Sequence, residues 1–273
     1  MANYNSKREH YRNVARKHEA MIEQKYQSQI RASIKGTKVY SVDAFADKEV
    51  DAFADKEVDD FTQKAKQIVW PLATNQAVIK ACQDYPQQKV AALNFASYVN
   101  PGGGFLNGAM AQEEAICTQS DLYPVIASQR DFYAWNKQHR NRGLYMNRGL
   151  YSPDIIWDGD VQSGVLTCAA PNKTAGRRTL REPEEQMKFY SDADSAMLSR
   201  MNFVKKIAED QKVDVLILGA WGAGVFGFKP AEVAKMWQRT FEKPTSISKV
   251  IYAVIPDERR QNRAVNEFKK VFE

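Results

Sequence analysis

Apolar positions recur at three- and four-residue intervals from residue 6 to residue 34. Tyr11, Val14, Ala15, His18, Ile22, Tyr26 and Ile30 form one stripe, with charges elsewhere. That spacing predicts a long helix, and its stripe must pack on the rest of the chain. Further on, short β-branched or continuously apolar runs predict strands at Lys38–Val42, Lys89–Phe95, Gly164–Ala169, Val213–Leu218 and Lys249–Ile255. Near-continuous apolarity is what strands buried on both faces require. Helical patterns lie between and after them, at 111–130, 185–210, 230–241 and 257–272. Strand–helix alternation argues for an α/β sheet covered by helices on both faces.

Composition narrows the class. The 273 residues are 44% hydrophobic and 11% aromatic, enough for a sizeable core. No apolar run approaches the ~18 residues that a membrane span needs. Met1–Arg8 lacks the apolar stretch of a secretory signal, so the expectation is a soluble, cytoplasmic chain. Cys82, Cys117 and Cys168 are too few, and odd in number, for a disulfide framework. With only His10, His18 and His139 and no Cys-x-x-Cys, neither a structural zinc site nor a Ser-His-Asp triad has support, and no metal or cofactor is expected.

The net charge of +6 is unevenly placed. Residues 1–38 hold nine Lys/Arg against three Glu, while the remainder holds thirty of each sign. The basic N-terminal helix is therefore either a nucleic-acid contact or a solvated helix face. The run Arg177-Arg178-Thr179-Leu180-Arg181 is open to the same two readings, a polymer contact or a solvated loop. Two short duplications stand out as well. DAFADKEV at 43–50 repeats unchanged at 51–58, and NRGLYM at 141–146 is followed by NRGLYS at 147–152. Each extra copy must sit where it displaces no core, in a surface loop or at a helix end.

The chemistry concentrates in two glycine-rich segments. The first runs from the strand ending near Phe95 through Asn100-Pro101-Gly102-Gly103-Gly104 to Gln112-Glu113-Glu114 at a helix start. Three glycines let backbone N–H groups approach a phosphate, and no Gly-Lys-Ser/Thr follows to make a Walker loop. Adjacent glutamates on one helix point in different directions, which argues against one shared role. A carboxylate beside a bound diphosphate is disfavoured as an anion, which suits it to donate a proton. The second segment, Gly219-Ala220-Trp221-Gly222-Ala223-Gly224-Val225-Phe226-Gly227, follows another buried strand and precedes Pro230 at a helix start. Two such loops at the carboxyl ends of strands can converge on one crevice. Phe226, between small neighbours, is suited to lying against a sugar or a base, or else to the core.

Together, Asn-Pro-Gly-Gly-Gly…Gln-Glu-Glu and Gly-Ala-Trp-Gly-x-Gly-Val-Phe-Gly resemble the bacterial-type poly(ADP-ribose) glycohydrolases, a branch of the macrodomain superfamily. The resemblance spans roughly residues 60–272, and the N-terminal helix fits that family's helical extension. It implies a three-layer α/β/α macrodomain-like mixed sheet, with residues 1–60 as a helical extension carrying the duplicated segment and 61–273 as the catalytic domain. It also implies that Gly102, Gly103 and Gly104 hold the diphosphate of ADP-ribose. Glu114 would be the general acid/base at the ribose–ribose bond, and Glu113 would bind a ribose hydroxyl. Gln112 would belong to the same ligand site. Gly222, Gly224, Val225 and Gly227 would form the opposing phosphate loop, with Phe226 on the distal ribose and Asn100 as its hydrogen-bonding partner. Ala223 stands where many relatives carry cysteine, and the NRGLY duplication is expected to bear on the size of the cleft.

The expected substrate is poly(ADP-ribose) or an ADP-ribosylated protein, with nucleic acid as a further partner through the basic helix and no membrane. Two alternatives stand beside the glycohydrolase. One is a non-catalytic ADP-ribose reader, which has no need of Glu114. The other is a hydrolase of mono-ADP-ribosylated protein or nucleic acid.

Overall fold

The computed structural model describes residues 2–41, 43, 61–178 and 180–273. Apart from residue 43, the DAFADKEV duplication lies outside the described residues. In chain order the elements are helices α1 (Ala2–Lys25) and α2 (Gln27–Gly36), strands β1 (Lys38–Tyr40) and β2 (Lys66–Trp70), helix α3 (Thr74–Asp84) and strand β3 (Val90–Phe95). Helices α4 (Gln112–Thr118), α5 (Leu122–Ala127) and α6 (Arg130–Gln138) precede strands β4 (Gly149–Trp157) and β5 (Val161–Cys168). Then come α7 (Lys173–Arg177), α8 (Pro183–Asp210), β6 (Val215–Leu218), α9 (Pro230–Thr240), β7 (Lys249–Ala253) and α10 (Arg263–Phe272).

The seven strands form one mixed sheet in the order β1-β4-β5-β3-β6-β7-β2. The run from β5 to β2 is parallel, and the β1–β4 and β4–β5 pairs are antiparallel. Alternation along a central strand explains the three layers. Leu216 and Leu218 face one side, in a cluster with Met197 and Val204 of α8, Trp237 of α9 and Phe268 of α10. Val215 and Ile217 face the other side, with Val78 of α3, Ile116 of α4, Val125 of α5 and Phe132 of α6. A strand with both faces covered reads as a continuous apolar run, which is how β3, β5, β6 and β7 announced themselves.

The long helix predicted over 6–34 is two helices. Tyr26 leaves helical geometry at φ −123° and ψ 24°, and Lys25 and Tyr26 both bond to Asp160. The predicted stripe nevertheless does its packing. Ala15 of α1 is buried with Phe105 and Cys117, and His18 Nε2 lies 2.8 Å from the Ser120 carbonyl oxygen. Ile30 of α2 joins the core on the α3–α6 side of the sheet, and Ser33 donates to the Pro153 carbonyl at 2.6 Å. The helix predicted over 111–130 is also split. Around Gln119–Asp121 the chain leaves helical form so that Ser120 bridges to Trp157 and Asp121 accepts from the Ile156 N–H at 2.8 Å.

The two NRGLY copies have different fates. The first contains a short 3-10 turn at Asn141–Gly143, with Arg142 at φ 49°. The second runs into β4, where Gly149, Leu150, Tyr151 and Ser152 are all buried. Only the first copy meets the expectation of a surface loop.

Candidate active site

The first glycine-rich segment leaves the carboxyl end of β3 and turns back over α4. Gln112 makes that turn possible by clasping the strand end. Its Oε1 accepts from the Phe95 N–H at 2.8 Å, and its Nε2 donates to the Leu93 carbonyl at 2.8 Å and the Thr74 hydroxyl at 3.1 Å. The side chain thus extends the β3 hydrogen-bond ladder and fixes where α4 begins.

Glu113 and Glu114 follow at the first turn of α4 and are 3% and 7% exposed. Glu113 Oε1 accepts from the Asn94 amide at 3.2 Å, and its Oε2 accepts from the Ser97 N–H at 2.7 Å. Burial pushes its carboxyl up to about 8 and the neighbouring Glu114 adds to the rise, against the pull of the Ser97, Asn94 and Gly102 donors. Glu114 points the other way. It accepts from the Gly104 N–H at 2.8 Å and from the Ala111 N–H at 2.9 Å, so it caps its own helix and pins the glycine loop. The loop can come this close only without side chains: Gly103 has φ +60°, and a Cβ there would stand 2.5 Å from Glu114 Oε1.

Behind the loop, α1 packs on the short turn Phe105–Asn107. A Cβ on Gly108 would collide with the Arg8 carbonyl. The extension therefore buttresses the loop that holds the glutamates.

The second glycine-rich segment sits opposite. Gly222 takes φ +77° and accepts from the Gly224 and Phe228 N–H groups at 3.1 and 3.2 Å. Val225, at its tip, is 81% exposed. Two adjoining cavities lie between the segments at the carboxyl ends of β3, β6 and β7. One, of 340 Å³, is lined by Phe95, Ala111, Gln112 and residues 220–226. The other, of 630 Å³, shares Phe95, Gln112, Ala220, Ala223 and Gly224 and continues past Phe228 and Val254–Asp257 to Arg260 and Arg263. These volumes are of the size that takes a small-molecule ligand.

Sequence reasoning brought together Gln112, Gly222, Gly224, Val225 and Phe226, which line the smaller cavity. It also placed Gly102, Gly103, Gly104, Glu113 and Glu114 in one cluster, none of which lines either cavity. Asn100 is exposed at the start of the glycine turn, where its carbonyl accepts from the Gly103 N–H at 3.0 Å. Gly227 lies beyond Phe226, against Thr174. Reasoning from sequence missed Phe95, Val254–Asp257, Arg260 and Arg263. The signal was present, because Pro256 follows the last predicted strand and ligands in parallel sheets sit at strand carboxyl ends. None of residues 141–152 lines either cavity, so the expected effect of the NRGLY duplication on the cleft is not seen. Among the described residues no group of His, Cys, Asp and Glu could hold a metal ion.

Comparison with known proteins decides the family. Residues 5–157 match the model of the microbial-type PARG catalytic domain, where PARG is poly(ADP-ribose) glycohydrolase. The chain belongs to this family. It is accordingly a hydrolase of the glycosidase class that acts on poly(ADP-ribose). The match begins at residue 5 and so takes in α1 and α2, most of the segment that the sequence resemblance left outside its span.

Solved glycohydrolases share the whole fold. The crystal structure of the Thermomonospora curvata PARG is 25% identical over 97% of this chain and 100% of its own, with a TM-score of 0.77. A structure of the T. curvata protein bound to the inhibitor ADP-HPD is 26% identical over 96% of this chain and 99% of its own, at 0.75. The Deinococcus radiodurans PARG in complex with ADP-ribose is 29% identical over 89% and 97%, also at 0.75. No curated relative matches the chain.

Proposed function

We propose that this PARG releases ADP-ribose by hydrolysing ribose–ribose bonds with Glu114 as its general acid/base. The observation that carries the reading is the placement of Glu114. It is anchored to the Gly102–Gly104 loop and to the start of α4, one turn from a cleft walled by the second glycine loop. Glu114 gives a proton to the leaving 2′-oxygen as the bond to the anomeric carbon breaks. Positive charge then builds on the sugar, and the diphosphate held between the two glycine loops offsets it. Glu114 next takes a proton from the water that attacks the anomeric carbon, which restores the carboxyl. One carboxylate serves both halves, unlike the paired carboxylates of ordinary glycosidases.

Glu113 serves binding. Its carboxyl is held by Asn94 and Ser97, and burial biases it toward the neutral form, so it can donate to a ribose hydroxyl as well as accept from one. Phe226 and Asn100 are assigned to the distal ribose. The diphosphate is assigned to the loop from Gly222 to Gly227 and to Gly102–Gly104, whose N–H groups exchange Glu113, the Asn100 carbonyl and Glu114 for phosphate oxygens when it binds. Gln112 holds the frame that presents them.

A cytoplasmic setting is proposed with this activity, in keeping with three cysteines that are all free thiols. No helix among the described residues is long and apolar enough to cross a membrane. The comparisons give a nucleic-acid partner no support. Two of the solved relatives hold ADP-ribose or an inhibitor.

The test is incubation with purified poly(ADP-ribose) while free ADP-ribose is followed. Release with multiple turnovers supports the proposal. Tight ADP-ribose binding without release would make the protein a reader instead.

A further inference from the structure

We propose that Arg177, Arg178 and Tyr190 form a subsite for the unit that leaves. It would take the diphosphate and adenine of the ADP-ribose on the far side of the scissile bond. The inference rests on the glycohydrolase reading and extends it along the polymer.

A separate cavity of 470 Å³ is lined by Lys173, Thr174, Arg177, Arg178, Tyr190 and Gly227. Gly227 follows Phe226, which lines the catalytic cleft, so this one turn forms the wall between the two spaces. The wall is fixed. The Thr174 N–H donates to the Phe226 carbonyl at 3.4 Å, and a Cβ on Gly227 would stand 2.8 Å from Thr174 Oγ1. A polymer whose distal ribose lies against Phe226 must continue past that turn.

The chemistry of the cavity suits what continues. The leaving 2′-oxygen belongs to an adenosine that carries a 5′-diphosphate, so two negative charges and one flat base must be placed. Lys173 is not the cation for this task. It is buried, and its charge is met by Asp194 at 2.5 Å and Glu232 at 3.8 Å. Arg177 and Arg178 are exposed, and neither side chain has a carboxylate partner among the described residues. A guanidinium fork matches phosphate geometry, and two neighbouring forks match a diphosphate. Tyr190, half-buried on α8, offers a ring for the base.

The arginines also stand on a rigid base. Gly143 accepts from the Asn172 N–H at 2.7 Å, and Asn172 Oδ1 accepts from the Ala175 N–H at 2.8 Å. Gly176 is pressed between Phe189 and the Arg142 carbonyl with no room for a Cβ. The first NRGLY copy, remote from the catalytic cleft, is thus the buttress of α7.

The test compares the full chain with Arg177→Ala/Arg178→Ala. It measures ADP-ribose release from long poly(ADP-ribose) across a range of salt concentrations and, separately, affinity for free ADP-ribose. Lys269→Ala/Lys270→Ala on α10 controls for the loss of two charges. In the double arginine variant, KM for polymer should rise by roughly tenfold or more, since a charge-assisted hydrogen bond has about that worth. The slope of log kcat/KM against log salt should fall by about 1–2. Affinity for free ADP-ribose and kcat should be unchanged, and Tyr190→Ala should raise KM without altering the salt slope. Equal KM in the variant and the unaltered chain overturns the subsite while leaving the glycohydrolase intact. An equal rise in the Lys269/Lys270 control, or a parallel loss of ADP-ribose affinity, also overturns it. No release by the unaltered chain removes the glycohydrolase reading, and this inference with it.

Discussion

A Cβ on Gly103 would stand 2.5 Å from one oxygen of Glu114 and 3.0 Å from one of Glu113. The two carboxylates are therefore placed around a point that only glycine can leave empty. Gly103→Ala must move one or both of them, in a backbone region that L residues enter at a cost of about 1–3 kcal/mol. The expected outcome is a fall in kcat of at least a hundredfold with a modest drop in stability, read from polymer turnover and denaturant midpoints. Unchanged turnover would mean that the loop does not set the glutamates' positions.

Gln112 tests the frame rather than the chemistry. Truncation to Ala strands the Phe95 N–H and the Leu93 carbonyl, at about 1–3 kcal/mol for each buried group left unpaired. Gln112→Ala should lower both stability and kcat. Gln112→Glu should be worse than its size suggests, because the Leu93 carbonyl would then face an oxygen instead of an amide. Thermal midpoints of the two variants check the order.

The pH dependence follows from Glu113. Its folded pKa of about 8 lies above the ordinary carboxylate value of 4.5, so the native state holds its proton longer than the unfolded chain. Its contribution to stability is complete below pH 4.5 and is lost as pH rises toward 8. Glu19, half-buried on α1 beside Glu23 and raised to about 7, acts in the same direction between pH 4.5 and 7. Glu113→Gln removes the larger effect and can be accommodated, because Asn94 Oδ1 has no partner and can accept from the new amide once the Asn94 amide turns. The variant should be more stable than the native chain at pH 9 by roughly 2–4 kcal/mol, and less active. Urea midpoints at pH 5 and pH 9 decide the point.

Gly108→Ala probes the extension. The added methyl collides with the Arg8 carbonyl at φ +72°, so α1 must lift from the Phe105–Asn107 turn. Faster amide exchange in α1 should accompany a severalfold loss of turnover. Exchange at the native rate would show that α1 docks independently of that turn.

How far the sequence carried this picture depended on burial. Strands covered on both faces, such as Val215–Leu218, have an apolar run that leaves little alternative. Strand β2 escaped notice because it is an edge that opens on two polar residues, exposed Lys66 and half-buried Gln67, the latter accepting from the Tyr252 hydroxyl. Strand β4 escaped because a register shift between Ser152 and Ile155, with Pro153 and Asp154 inside it, breaks any period. The stripe on α1 was legible, but its partner turn at Phe105 was not, because nothing in a helix names the surface that it meets. At the site, glycine and carboxylate patterns carried the two loops, whereas Arg260 and Arg263 reach the cleft through a fold that brings α10 beside β7 and β2.

The most direct test of the central claim is single-turnover cleavage of poly(ADP-ribose) by the native chain and by Glu114→Gln, with ADP-ribose affinity measured on both. The account predicts a loss of several orders of magnitude in the cleavage rate with affinity kept within a few-fold. Cleavage by the variant at a native-like rate, with the fold intact, would contradict the assignment of Glu114 as the acid/base.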